Sequence, residues 1–186
     1  MKKQTVSVSR VIKYFILLLL LLAVVSAVYK IVATMRYYKI YDYQKAVAES
    51  EYVAAEAWTY GTSKDIAKQR SVLTAPYDLV LSIAPNQQNW HKVVIDDIRL
   101  ININNDNVVF NPSGSFEAEL EILGEKPLAG YFQFNGLALE YAEYKIRIKF
   151  RLEGKQSSQA GEITLVLRKD YKEYWSNDIW DAMMSV

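Results

Sequence analysis

The sequence predicts a mainly β protein with an N-terminal transmembrane helix: a helical stalk, then an antiparallel β-sandwich or partly closed barrel, then a C-terminal helix. Three observations predict it. Tyr14 to Tyr29 is a 16-residue run without a charge, residues 77–168 alternate apolar and polar side chains between turn signals, and residues 36–60 contain neither Gly nor Pro. With 186 residues there is room for one ordinary domain and an attachment.

The apolar run begins the organisation. Counted from Tyr14 to Met35 it has 22 residues, about 33 Å of helix against a hydrocarbon core of about 30 Å, provided that the Lys30 ammonium snorkels to the headgroups. A cleaved secretory signal competes, since Val25-Ser26-Ala27 offers small residues at a cleavage site. The apolar pattern nevertheless continues through Val28, Ile31 and Val32, as in an uncleaved anchor. Residues 1–13 form a short basic tail and 14–35 the transmembrane helix.

Orientation rests on charge. No acid occurs before Asp42, and the tail carries Lys2, Lys3, Arg10 and Lys13; Lys30, Arg36, Lys39 and Lys45 follow on the other side. The acid-free tail and a Cys-free body favour a cytoplasmic N-terminus and a periplasmic body in a bacterial inner membrane. Lys13, Lys30, Tyr37, Tyr38 and Tyr41 are the expected membrane-interface residues, with packing of the rings on the protein's own domain as the competing fate.

Residues 36–75 are expected to form a helical stalk and a short second helix over 64–73. The stalk is rich in Ala and Glu, Lys45 and Glu49 stand at helical i,i+4 spacing, and Gly61 and Pro76 supply stops. The β-domain occupies 76–169. Strands are expected at 77–84, 91–103, 107–110, 115–123, 129–135, 138–153 and 161–168, between turn residues such as Asn104 to Asp106 and Asn111 to Gly114. Residues 170–186 complete the chain as an amphipathic helix, with Tyr171, Tyr174, Trp175, Ile179, Trp180 and Met183 on one face.

Composition narrows the functions. The absence of Cys removes disulfides, thiol catalysis, zinc fingers and lipoprotein acylation. Residues 36–186 hold 17 bases and 21 acids, which lacks the basic footprint of a nucleic-acid binder. The single imidazole, His91, has no nucleophile elbow to serve, and there is no glycine-rich phosphate loop. Asp96-Asp97 would share a ligand only if a bulge brought both to one face. A type IV pilin has the same parts, but its Gly before a processed Phe or Met and its Glu in the first helical turn are missing here.

Two features remain as candidate partner or headgroup contacts. Lys145, Arg147, Lys149 and Arg151 make a basic comb, unless Glu117, Glu119 and Glu121 neutralise it from a neighbouring strand. Trp175 and Trp180 either cover the sandwich or meet a partner. The expectation is a non-catalytic, single-pass subunit or adaptor of an envelope membrane complex, with the lipid bilayer and other envelope proteins as partners and no cofactor. A membrane-anchored carrier or sensor of a lipid or small apolar ligand is the alternative.

Overall fold

The computed structural model describes residues 8–87, 89–120, 122–123 and 126–176. Helix α1 (Val8–Thr34) is free of charged residues on every side from Tyr14 to Tyr29, and its side chains from Ile12 to Thr34 are exposed. Its 23-residue stretch Ile12–Thr34 is long and apolar enough to cross a membrane, about 34 Å at 1.5 Å per residue.

After Met35 the chain enters strands: β1 (Arg36–Tyr43), β2 (Ala46–Glu49), β3 (Val53–Ala67), β4 (Arg70–Pro85), β5 (Trp90–Asn102), β6 (Val108–Phe110), β7 (Phe116–Glu119), β8 (Ile122–Leu123), β9 (Lys126–Pro127), β10 (Gly130–Leu137), β11 (Tyr144–Gly154), β12 (Ser158–Leu167) and β13 (Lys169–Ser176). The expected helical stalk is therefore corrected to β1, β2 and the start of β3. Ala and Glu favour helix by only tenths of a kcal/mol, and tertiary burial overrides that. Val53, Ala55 and Ala57 point into the core at 0% exposure while Glu56 and Trp58 face outward, a period-two arrangement. Lys45 accordingly pairs with Glu56 across the strands, at 2.6 Å, rather than with Glu49.

The second helix over 64–73 is corrected as well. Those residues form the β3–β4 hairpin, which turns at Lys68-Gln69 with Gln69 at φ +59°. Gly61, expected to end a helix, lies within β3; a Cβ there would stand 3.1 Å from the Thr74 backbone nitrogen.

The first sheet runs β13-β1-β4-β3-β2, with β10 also on β4. Residues 70–73 of β4 pair in parallel with β1 and residues 77–83 antiparallel with β10. Pro76, which has no N–H for the ladder, falls between these stretches, where Ala75 and Pro76 are also skipped in the pairing with β3. The second sheet runs β12-β11-β5-β6, with β7 sharing the same edge of β5. β12 approaches β2 and β3 on one side, and β10 approaches β7 on the other, so the sandwich curls toward closure.

The core lies between the sheets. Tyr77, Leu79, Leu81 and Ile83 of β4 face Ile95, Ile98 and Leu100 of β5 and Tyr144, Ile146 and Ile148 of β11, all at 0% exposure. The buried hydroxyls are satisfied, since Tyr43 and Tyr144 both donate to the Glu140 carbonyl at 2.9 Å and Tyr77 donates to the Tyr41 carbonyl at 2.6 Å. Burial pushes all three phenols above their ordinary pKa, because it penalises the charged form.

The C-terminal helix is corrected over its described part: Lys169–Ser176 is an edge strand, paired along its whole length with β1. Its aromatic spacing suits either conformation, and the ring-to-ring partners on β1 favour the strand. Residues 177–186, with Ile179, Trp180 and Met183, lie outside the described residues.

Candidate functional site

The end of the β-domain next to α1 is built from the first and the last described strands, β1 and β13. β1 leaves α1 at Arg36, and β13 returns beside it with Arg36 opposite Ser176. Side chains on paired residues meet: Tyr37 with Trp175 at 5.2 Å between ring centroids, Tyr38 with Tyr174 at 5.5 Å, and Tyr41 with Tyr171 at 5.0 Å. Three of the five expected interface residues, Tyr37, Tyr38 and Tyr41, thus pack on the protein's own β13 and are half-buried, while Trp175 keeps 58% exposure.

Glu173 organises this ladder. It accepts hydrogen bonds from the hydroxyls of Tyr37 and Tyr171 and stands 3.4 Å from Lys39 Nζ. Those donors, Tyr171 foremost, hold its carboxyl below the usual range, and the same carboxylate raises the pKa of Tyr37 and Tyr171. The cluster is a carboxylate fixed between neutral phenols.

Lys13 and Lys30 are both exposed on α1, and the Lys30 carbonyl accepts from Thr34 Oγ1 at 2.9 Å. The β3–β4 hairpin tip touches this end of the helix. Gln69 donates through its side-chain amide to the Ala33 carbonyl, and the Tyr37 amide donates to the Gln69 carbonyl at 2.9 Å.

The basic comb lies on the outer face of the second sheet, on central strand β11. Its expected neutralisation by the Glu117 to Glu121 comb is overturned, because β5 lies between β7 and β11. Glu117 and Glu119 instead meet Lys92 of β5 at 2.8 and 3.9 Å, and Glu121 lies outside the described residues. Arg147 pairs with Glu162 at 3.3 Å, and Arg151 pairs with Asp96 at 3.1 Å and Glu153 at 3.6 Å. Lys145 and Lys149 make no ion pair among the described residues. The face is a lattice of both signs, so its field is largely self-neutralised.

Asp96 is the extra residue of a bulge in β5, which brings both aspartates to the outer face. They are spent on arginines, Asp96 on Arg151 and Asp97 on Arg99 at 2.9 Å. No group of three His, Asp or Glu able to hold a metal comes together among the described residues. His91 is exposed on β5. Residues 103–107 connect β5 and β6, and Asn102 Oδ1 at the end of β5 accepts from the Asn104 amide at 2.9 Å.

Sequence reasoning missed the outer face of the first sheet. Trp58 and Tyr60 of β3, Val80 of β4, Tyr131 of β10 and Val47 of β2 share it, with Tyr60, Tyr131 and Val47 at 59%, 64% and 59% exposure. Trp58 Nε1 donates to the Tyr60 hydroxyl at 2.8 Å, and the Lys45 ammonium sits 5.8 Å from the Trp58 ring centre. An open groove lined by Ala118, Glu119, Leu128, Ala129 and Tyr131 borders it. The signal in the sequence was Trp58, Tyr60 and Tyr131, each on the polar phase of its strand. No protein-family model, curated protein or solved structure matches the chain.

Proposed function

We propose that the protein is a non-catalytic, single-pass subunit or adaptor of an envelope membrane complex, anchored by α1 and docking through its β-domain. The body stands on the periplasmic side of a bacterial inner membrane, as the acid-free tail favours. The observation that carries the reading is the contrast between the two outer faces. One is a lattice of ion pairs suited to water; the other carries Trp58, Tyr60, Tyr131, Val47 and Val80, with the Lys45–Glu56 ion pair and Asp78 set among them. Trp and Tyr are the side chains enriched in a binding core.

The carrier alternative gains no support, since the space between the sheets is filled by Tyr77, Leu81, Ile98, Tyr144 and Phe150 at 0–1% exposure. Photo-crosslinking residues introduced at Trp58 and Tyr131, and separately at Arg147 and Lys149, test the docking face in intact membranes. Crosslinks to one discrete protein from the first pair, lost with Val80→Arg, are expected. Crosslinks from Arg147 and Lys149 alone would move docking to the basic comb, and a cytoplasmic reporter active after Val186 would reverse the orientation.

A further inference from the structure

We propose that the tip of the β3–β4 hairpin is a binding site for the headgroups of anionic phospholipids in the membrane that α1 enters. The inference rests on the reading of α1 as the anchor and adds a second contact with the bilayer.

Position comes from the hydrogen bonds. Gln69 at the turn reaches the Ala33 carbonyl in the last turn of α1, and Gln69 O receives the Tyr37 amide, so the turn is fastened where the helix leaves the membrane. The 23 apolar-helix residues end at Thr34 and exceed a hydrocarbon core of about 30 Å by about 4 Å. The hairpin turn therefore stands at headgroup depth.

Charge at that depth is positive. Lys68 and Arg70 flank Gln69, are exposed, and make no ion pair among the described residues. Arg70 lies opposite Tyr37 in the ladder, and Arg36 stands two residues beyond the end of the helix. The one acid on the tip, Asp65, is occupied by the Ser71 hydroxyl at 2.6 Å and by Arg36 at 4.0 Å. Lys64 turns away from the tip, donating to the Ala75 carbonyl at 3.1 Å.

The third observation is apolar. Ile66 lies where the register shifts between Asp65 and Ala67, unpaired with β4, and the bulge leaves it 57% exposed. A β-branched apolar side chain beside two free cations matches the boundary between acyl chains and phosphates, where the first is desolvated and the second neutralised. A soluble acidic protein would satisfy the cations but not the attachment of the turn to the end of α1.

The Cys-free sequence makes the test direct. Ile66→Cys, Ser26→Cys and Ser113→Cys variants of the full chain, each carrying an environment-sensitive fluorophore, are placed in vesicles of phosphatidylcholine alone or with one-third phosphatidylglycerol. The residue 66 probe should shift to the blue and be quenched by spin-labelled lipid, more strongly with phosphatidylglycerol, while the residue 113 probe stays wet. Lys68→Glu with Arg70→Glu should abolish the shift, and phosphatidylglycerol co-isolated with the unlabelled chain should fall roughly fivefold per base.

A residue 66 probe as wet as residue 113 in both vesicles overturns the proposal. So does a shift indifferent to lipid charge and to both substitutions, or one reproduced in detergent by inorganic phosphate or by the protein alone. A residue 26 probe open to an aqueous quencher would refute the anchor itself. A protected residue 26 with a wet residue 66 would refute the hairpin site alone.

Discussion

Lys92 Nζ stands 2.8 Å from Glu117 Oε2 and 3.9 Å from Glu119 Oε1, joining β5 to β7 across the outer face of the second sheet. Glu117 and Glu119 are answered by this lysine, and the arginines of β11 are answered by Glu162 and Asp96. Combining Glu117→Lys with Lys92→Glu should therefore recover part of the stability that each change loses, and added salt should shrink the coupling. Glu119→Lys with Arg147→Glu should be additive in denaturant melts. Coupling in the second pair and none in the first would reverse this reading of the face.

Glu173 should give the β1–β13 ladder an acid limb. Its folded pKa lies below its unfolded value, so its contribution is present above the unfolded carboxylate range and lost as pH falls through the folded pKa. Tyr37 and Tyr171 shift the other way, and their contribution, complete below the unfolded phenol pKa, is lost in alkali as pH rises through their folded values. In Glu173→Gln the acid limb should flatten, and tyrosinate absorbance should appear at lower pH than in the parent chain. An unchanged alkaline titration would show that the phenols do not feel this carboxylate.

Gly161 lies opposite Phe150, and a Cβ on it would come 2.5 Å from Phe150 Cζ, inside contact distance of a ring that is 1% exposed. The ring is held in the core and has no free volume to enter. Gly161→Ala should cost about 1–3 kcal/mol by overpacking, and Phe150→Ala about 3–5 by leaving a cavity. A Gly161→Ala protein that melts like the parent would mean that β12 can shift away from β11.

The strands after Pro76 were legible because their apolar phase is large and regular: Tyr144, Ile146, Ile148, Phe150 and Leu152 alternate with four bases, and only a strand puts them on one face. The segment 46–60 hid the same period, since its inward positions are occupied by Ala55, Ala57 and Thr59, too small or too polar to stand out against the helix propensity of Ala and Glu. Nor does the sequence show that β1 pairs with a strand at the far end of the chain. That pairing is tertiary, and it places Trp175 on Tyr37. Ile66, Lys68 and Arg70 reach the end of α1 only because the hairpin folds back to Ala33.

Truncation tests the corrected C-terminus. Removing everything after Lys169 strips β1 of its antiparallel partner along Arg36–Asp42, leaving the Tyr43–Lys169 pair and the parallel pairing of residues 37–40 with β4. Three ring pairs are lost, each contributing roughly 0.5–1.5 kcal/mol beyond area burial, so a loss of about 2–4 kcal/mol is expected. Trp175→Ala alone should cost about 1 kcal/mol, because the ring is 58% exposed and leans on Tyr37, well short of the 3–5 typical of a buried Trp. Truncation after Ser176 spares β13 and separates its contribution from that of residues 177–186. If the shorter truncation cost as much as the longer one, the stabilising role would return to Trp180 and its neighbours. If neither cost anything while recovery of a partner was abolished, the aromatic edge of β13 would be the docking surface.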